Sequence, residues 1–151
     1  FGASELRVRL SLYTDFSLCW LVYLAGAKDG KPVSSASIAK RYRVSAHHMH
    51  KVAQGLRKLG YIHSVSGRYG GLKLATAPES IRVGDVVAAM EGIGSIVDCK
   101  RGPCPLHGAC SLKSVLDRAE RGFVDELRKH TIADVIRGPT LLRLDHIMRA
   151  A

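Results

Sequence analysis

Cys99, Cys104 and Cys110 stand within twelve residues of one another, four residues separating the first two and five the last two. Thiolates bind zinc and iron–sulfur clusters alike, and a loop of this length lets three sulfurs converge on one centre. Lys100 and Arg101, between the first two, favour the anionic sulfur that binds metal. Gly102, Pro103, Pro105 and Gly108 prevent a helix and allow backbone amides to point at sulfur, a contact that tunes cluster potential. Three ligands leave one coordination position open. Spacing alone leaves three readings: an iron–sulfur cluster, zinc completed by His107, and a disulfide or free thiols. Structural zinc usually uses tighter Cys-x2-Cys pairs, which are absent here.

A second group of residues suits nucleic acid. Ser45, His47, His48, His50 and Lys51 begin one predicted helix, with Gln54, Arg57 and Lys58 further along it. Arg and Lys neutralise phosphates and contact guanine, and Gln can read adenine. Ser45 at the helix N-terminus can hold a phosphate directly. Arg68, Tyr69, Gly70 and Gly71 form a basic, glycine-rich tip whose backbone can approach a minor groove closely. A solvated basic helix and an ordinary turn would show any one of these features; their joint order counts against that. His47, His48 and His50 could hold a metal, but His48 and His50 do not share a helix face.

Both groups need elements to position them. Leu10 to Ala25 is predicted as a helix, with Leu12, Phe16, Trp20 and Tyr23 three or four apart and Thr14 and Asp15 near its start. After a Gly30–Pro32 linker, Ser34 to Ser37 offer N-caps for a short helix reaching Tyr42. Arg43 and Val44 turn, and Ser45 caps a helix to about Leu59 that buries Met49, Val52, Ala53, Leu56 and Leu59 and ends at Gly60. Tyr61–Val65 and Leu72–Ala75 form a hairpin. Helix, short helix, turn, longer helix and hairpin is the order of a winged helix-turn-helix. A helix from Ile81 to Glu91, inward at Val83, Val86, Val87 and Met90, precedes the cysteine loop. A long helix from Leu112 to His130 follows, with Val115, Leu116, Ala119, Phe123 and Leu127 expected inward, then a short segment from Thr131 to Ile136. The tail from Pro139 carries no assignable pattern.

The charge fits a polyanionic partner: 23 Lys and Arg oppose 13 Asp and Glu, a formal net charge of +10. No run approaches the roughly 18 apolar residues that span a bilayer. Phe1 to Leu6 lack the charged start and apolar stretch of a secretory signal, and the natural start is expected near Val8. These features point to the cytoplasm, where thiols stay reduced.

Five stretches carry a family likeness: Arg9-Leu10-Ser11-Leu12-Tyr13-Thr14-Asp15-Phe16-Ser17-Leu18, Gly67 to Leu74, Ile81 to Val87, the three-cysteine loop, and Thr131-Ile132-Ala133-Asp134-Val135. Through them the chain resembles, from Arg9 to Ile136, the NsrR/IscR type of winged-helix repressor, dimeric bacterial proteins that sense through an iron–sulfur cluster. It looks like the family's nitric-oxide-sensitive branch. The resemblance implies Cys99, Cys104 and Cys110 as cluster ligands and Asp15, from the first helix of the other protomer, as the fourth. It implies a homodimer formed along the helix from Leu112, double-stranded operator DNA as partner, and Arg68 in the minor-groove wing. It also implies [4Fe–4S] over [2Fe–2S], with nitric oxide as the signal and operator affinity lost on nitrosylation. A hard carboxylate among soft sulfurs would leave its iron the most easily displaced. The fold class expected is therefore mainly α: a winged helix-turn-helix over residues 8–78, a cluster loop and long C-terminal dimerisation helix over 79–138, and a tail over 139–151. Alternatives are a same-family regulator of iron supply, cluster status or redox state, and, in another class, a small zinc or iron–sulfur enzyme. For the enzyme there is no nucleophile–base pair and no phosphate loop.

One position departs from the family pattern. Relatives usually carry arginine after Phe-Ser-Leu, where this chain has Cys19. It lies four residues after Asp15, on the same helix side. It is either a small buried thiol or a competing fourth ligand that would make the cluster all-thiolate.

Overall fold

Helix α1, Leu12–Gly26, forms the centre around which the other helices pack. Ser11 caps it: the Ser11 side chain accepts from the Thr14 N–H at 3.2 Å, satisfying a donor that the first turn would leave unpaired. The helix buries Trp20, Leu21, Tyr23 and Leu24. The expected stripe holds at Trp20 and Tyr23, while Leu12 is 65% exposed. Leu12 is the first residue of the helix, while the residues that α1 buries begin at Thr14. The computed structural model describes residues 9–27, 30–92, 96–97, 99 and 102–149. Lys100 and Arg101, expected to favour thiolates, and the expected start near Val8 lie outside the described residues.

Helices α2 (Ser35–Tyr42) and α3 (Ala46–Lys58) form the helix-turn-helix. Serine caps both, Ser34 accepting from the Ser37 N–H and Ser45 from the His48 N–H. The turn passes through Arg43 at φ 55°, and the Val44 N–H closes it on the Ala39 carbonyl at 3.0 Å. Ile38, Met49, Val52 and Leu56 point into the core. Leu59, expected inward, is 46% exposed because it lies past the last helical turn, at the C-cap.

Strands β1 (Ile62–Val65) and β2 (Gly71–Leu74) pair antiparallel, Ile62 opposite Leu74 and Val65 opposite Gly71. Val33, just before α2, exchanges two backbone hydrogen bonds with Leu72 at 2.9 and 3.0 Å, stitching the hairpin to the helix-turn-helix. Gly71 permits this approach, since a Cβ there would lie 2.9 Å from the Val33 backbone.

Beyond the hairpin, a short 3-10 turn at Pro78–Ser80 leads to α4 (Val83–Glu91). After the cysteine loop come α5 (Ser111–Arg128) and the single turn α6 (Ile132–Val135). Thr131 and Asp134 close a reciprocal capping box on α6. Helices α4 and α5 touch at Gly84, where a Cβ would stand 2.5 Å from the Val124 carbonyl oxygen. The stripe expected inward on α5 is only partly covered by its own chain, Leu116 and Leu127 being half-buried. Val124 is that helix's buried residue, while Leu112, Val115 and Phe123 are 64%, 50% and 40% exposed and Ala119 is exposed. Contact with α4 covers only the Val124 side.

The tail, unassigned from the sequence, forms helix α7, Pro139–Arg149. Proline at a first helical position is pre-set in φ. Leu144 buries itself against α1, where a Cβ on Gly26 would meet the Leu144 Cδ1 at 2.7 Å. The result is a mainly helical winged-helix fold. Among the described residues no helix is long and apolar enough to cross a membrane.

Candidate DNA-reading surface and cysteine loop

The outer face of α3 presents His47, His50, Lys51, Gln54, Arg57 and Lys58 to solvent. Gln54 Nε2 and His50 Nε2 lie 3.2 Å apart, one turn along the helix. His48, grouped with these donors from the sequence, faces another way. Its half-buried ring meets Phe16 of α1 edge-on at 5.2 Å between centroids, and its Nε2 is buried without a hydrogen-bond partner. It packs beside the stripe of Met49 and Val52 and seats α3 on α1. Tyr13 of α1 reinforces that seat. Its hydroxyl reaches the Lys51 carbonyl at 3.5 Å and occupies the space that a side chain at Gly55 would need. Neither Tyr13 nor Gly55 was identifiable from spacing, although a glycine in mid-helix hints at close packing.

The hairpin tip projects as one unit. Tyr69 is 83% exposed and the Arg68 guanidinium stands 5.9 Å from the Tyr69 ring centroid, within cation–π range. Gly67 takes φ 112°, a conformation other residues adopt only under strain, and at Gly70 a Cβ would run into the Val65 carbonyl.

Cys99 and Cys110 are half-buried, Cys104 is exposed, and all three thiols are free. Cys110 occupies the N-cap of α5 without a side-chain cap bond. The His107 N–H bonds the Cys104 carbonyl at 3.1 Å. Among the described residues no three His, Cys, Asp or Glu side chains gather as a metal site, so neither the three sulfurs nor a zinc set with His107 is assembled. In donor chemistry the loop fits a soft-metal group, because three unpaired thiols lie on one short segment.

Asp15 is exposed in the first turn of α1. Cys19, one turn on, is differently placed. Burial, with the Asp15 charge adding to it, pushes the Cys19 thiol up to about 11, although the Tyr42 hydroxyl donates to its sulfur. Cys19 is half-buried and one helical turn from Asp15, and its thiol is free. Glu91, the last residue of α4, was not identifiable from the sequence. Its carboxylate accepts the Ser11 N–H at 2.7 Å and thereby ties the start of the cysteine loop to the start of α1. Burial would raise the Glu91 carboxyl, but hydrogen bonds from Thr14 and Ser11 outweigh it and hold the group below its ordinary range. The two residues are 80 positions apart, beyond the reach of any local pattern.

A helix-turn-helix with a basic outer face and a stacked, cationic wing defines a winged-helix transcriptional regulator. Residues 10–138 match the Rrf2 family, described as iron-dependent transcriptional regulators, and the chain belongs to that family. It is 37% identical over 145 residues to the HTH-type transcriptional regulator NsrR of Bacillus licheniformis, spanning 94% of this chain and 98% of that protein. Among solved structures it resembles T. potens IscR, with a TM-score of 0.69, 29% identity and 89% of each chain covered. It also resembles CymR, the global cysteine regulator of B. subtilis, with a TM-score of 0.68, 26% identity, and 85% of this chain and 96% of that one covered. These relatives are regulators and not enzymes, which removes the enzyme alternative.

Proposed function

We propose that this regulator is a homodimeric, nitric-oxide-responsive repressor that holds a [4Fe–4S] cluster on Cys99, Cys104 and Cys110 with the partner subunit's Asp15. The carrying observation is the set of three free thiols between α4 and α5, in a chain that resembles NsrR over nearly its whole length. Such a cluster would supply iron open to attack by nitric oxide.

The chain's own residues give the signal a route to DNA. Asp15 lies in the first turn of α1, and Glu91 fastens that end of the helix to the root of the cysteine loop. Phe16 and Tyr13, on either side of Asp15, rest on His48 and Gly55 of α3. A pull on Asp15 therefore acts on the helix that carries His47, Lys51 and Gln54. Those side chains, with Ser45 at the helix start, face the major groove in this reading, while Arg68, Tyr69, Gly70 and Gly71 enter the minor groove. Two such helices must meet half-sites about 34–36 Å apart, so a small reorientation suffices to lose the operator. The apolar face of α5 joins the protomers. The division into residues 8–78, 79–138 and 139–151 and the cytoplasmic setting belong to the same proposal.

The test is an anaerobic visible spectrum recorded as nitric oxide is titrated in, paired with DNA gel shifts. Loss of a visible band over a few equivalents, with loss of the DNA complex, is the expected result; a DNA complex indifferent to nitric oxide would sink the reading. The family's iron-dependent description favours one rival, a sensor of iron supply. In that case a chelator would dissociate DNA and nitric oxide would not.

A further inference from the structure

Helix α7 begins at Pro139, just past the family match that ends at residue 138, yet it is docked on the DNA-reading half. Leu144 fills the notch at Gly26 of α1. Arg41 of α2 donates through Nη1 to the Ile147 carbonyl in the last turn of α7, and its guanidinium stands 5.7 Å from the Tyr23 ring centroid. The last turn of α7 is thereby latched to the first helix of the helix-turn-helix by a cation placed where the helix dipole is negative.

This docking creates a cleft of about 910 Å³ between the start of α2, the wing tip and α7. Ser34, Ser37, Tyr69, Gly70, Arg41 and Arg149 line it. Lys31, Arg41 and Arg149 give it three cations against one carboxylate, Asp145. The Arg41 Nε is buried there without a hydrogen-bond partner. Ser34 Oγ accepts from the Ser37 N–H, which leaves its own hydroxyl proton available to an outside acceptor.

We infer that this cleft seats a phosphate of the DNA backbone, making α7 part of the DNA interface with Arg149 as its contact. The inference rests on the DNA-binding reading. A winged helix places α3 in one groove and the wing in the next, and the phosphate backbone runs between them. The first helix of a helix-turn-helix crosses that backbone, and the cleft lies beside it, with the capped start of α2 on one wall and Tyr69 and Gly70 of the wing on another. Half to two-thirds of protein–DNA hydrogen bonds go to backbone phosphate and sugar, from Arg, Lys, Ser, Tyr and helix N-termini, and the cleft offers each of these.

The test is the salt dependence of binding to a fluorescent, mixed-sequence duplex, followed by anisotropy for the full chain and its Arg149→Ala and Arg149→Lys variants. One lost phosphate contact makes the slope of log affinity against log salt shallower by about 0.9, which is roughly eightfold in affinity near 0.1 M salt. Arg149→Ala is expected to show both changes on any sequence, and Arg149→Lys to restore the slope. An Arg149→Ala slope equal to that of the unaltered protein overturns the inference, whether or not affinity falls, because a loss without a slope change marks α7 as packing alone. An unaltered protein that binds no duplex overturns the DNA-binding reading itself, before either variant is compared.

Discussion

Partial burial, with the Asp15 charge one turn away, pushes the Cys19 thiol up, and this has a consequence for alkaline stability. Its thiol is raised from the ordinary 9.0 to about 11. A raised folded-state pKa contributes stability that is complete below the unfolded value and is lost as pH climbs through the folded one, since the unfolded chain ionises first. Tyr42 moves the same way, driven by burial and by Cys19 and Tyr23 beside it. Thermal melts followed by circular dichroism should therefore show Tm falling between pH 9 and 11, with a smaller fall for Cys19→Ala. Parallel curves for the two proteins would remove Cys19 as a cause. Spacing singles out the loop cysteines as candidate ligands, because their nearness along the chain is visible in the sequence. Tyr42 as partner of Cys19, Glu91 as clamp on Ser11, and the inward turn of His48 were not legible. Each depends on how one helix lies against another.

Among elements, the contact of α4 with α5 is the most closely dimensioned. A side chain at Gly84 would meet backbone, at 2.5 Å from the Val124 oxygen and 2.6 Å from the Arg128 nitrogen, so the helices would have to part. Beside it, Arg128 bonds Asp85 at 2.7 Å and Asp125 at 3.0 Å. These pairs are largely exposed and add little on their own. Gly84→Ala would improve helix propensity by about 1 kcal/mol, but overpacking of this kind costs roughly 1–3 kcal/mol. Because the obstruction is backbone, the cost should prevail. Urea titration should place the midpoint of Gly84→Ala below that of the unaltered chain, and an equal or higher midpoint would mean that α5 slides freely. Element order was legible because its signals are local: serine caps at Ser34 and Ser45, the glycine stop at Gly60, the glycine-rich hairpin. Helix α7 escaped notice although Leu141, Leu144, Ile147 and Met148 recur at helical spacing behind Pro139. The face of α5 was read correctly as apolar and wrongly as covered, since periodicity reports which side is apolar and not what lies against it.

For the molecule as a whole, one core runs from Trp20 and Ile38 through Leu56 and Ile81 to Ile132 and Leu144, and among the described residues none of α5 belongs to it. What one chain leaves uncovered is the α5 stripe. Burying a Leu, Val or Phe side chain fully is worth about 1.5–3 kcal/mol. At the observed exposures, Leu112, Val115 and Phe123 retain roughly half of that each. Six such side chains across a two-fold interface would give about 6 kcal/mol, against an association cost of about 4–15 kcal/mol. A dimer on these residues alone is marginal and must recruit Leu116, Leu127 and the cysteine loop. One buried charge should then be decisive. In the dimer proposed above, Val115→Glu is expected to shift the mass measured by light scattering from two chains to one while helical circular dichroism persists, because Val115 is not part of the core cluster of its own chain. Operator affinity should fall with the mass, since a single recognition helix reads a single half-site. A Val115→Glu protein that remains dimeric would place the interface elsewhere, and would remove the reason for expecting Asp15 of one chain beside the cysteines of another.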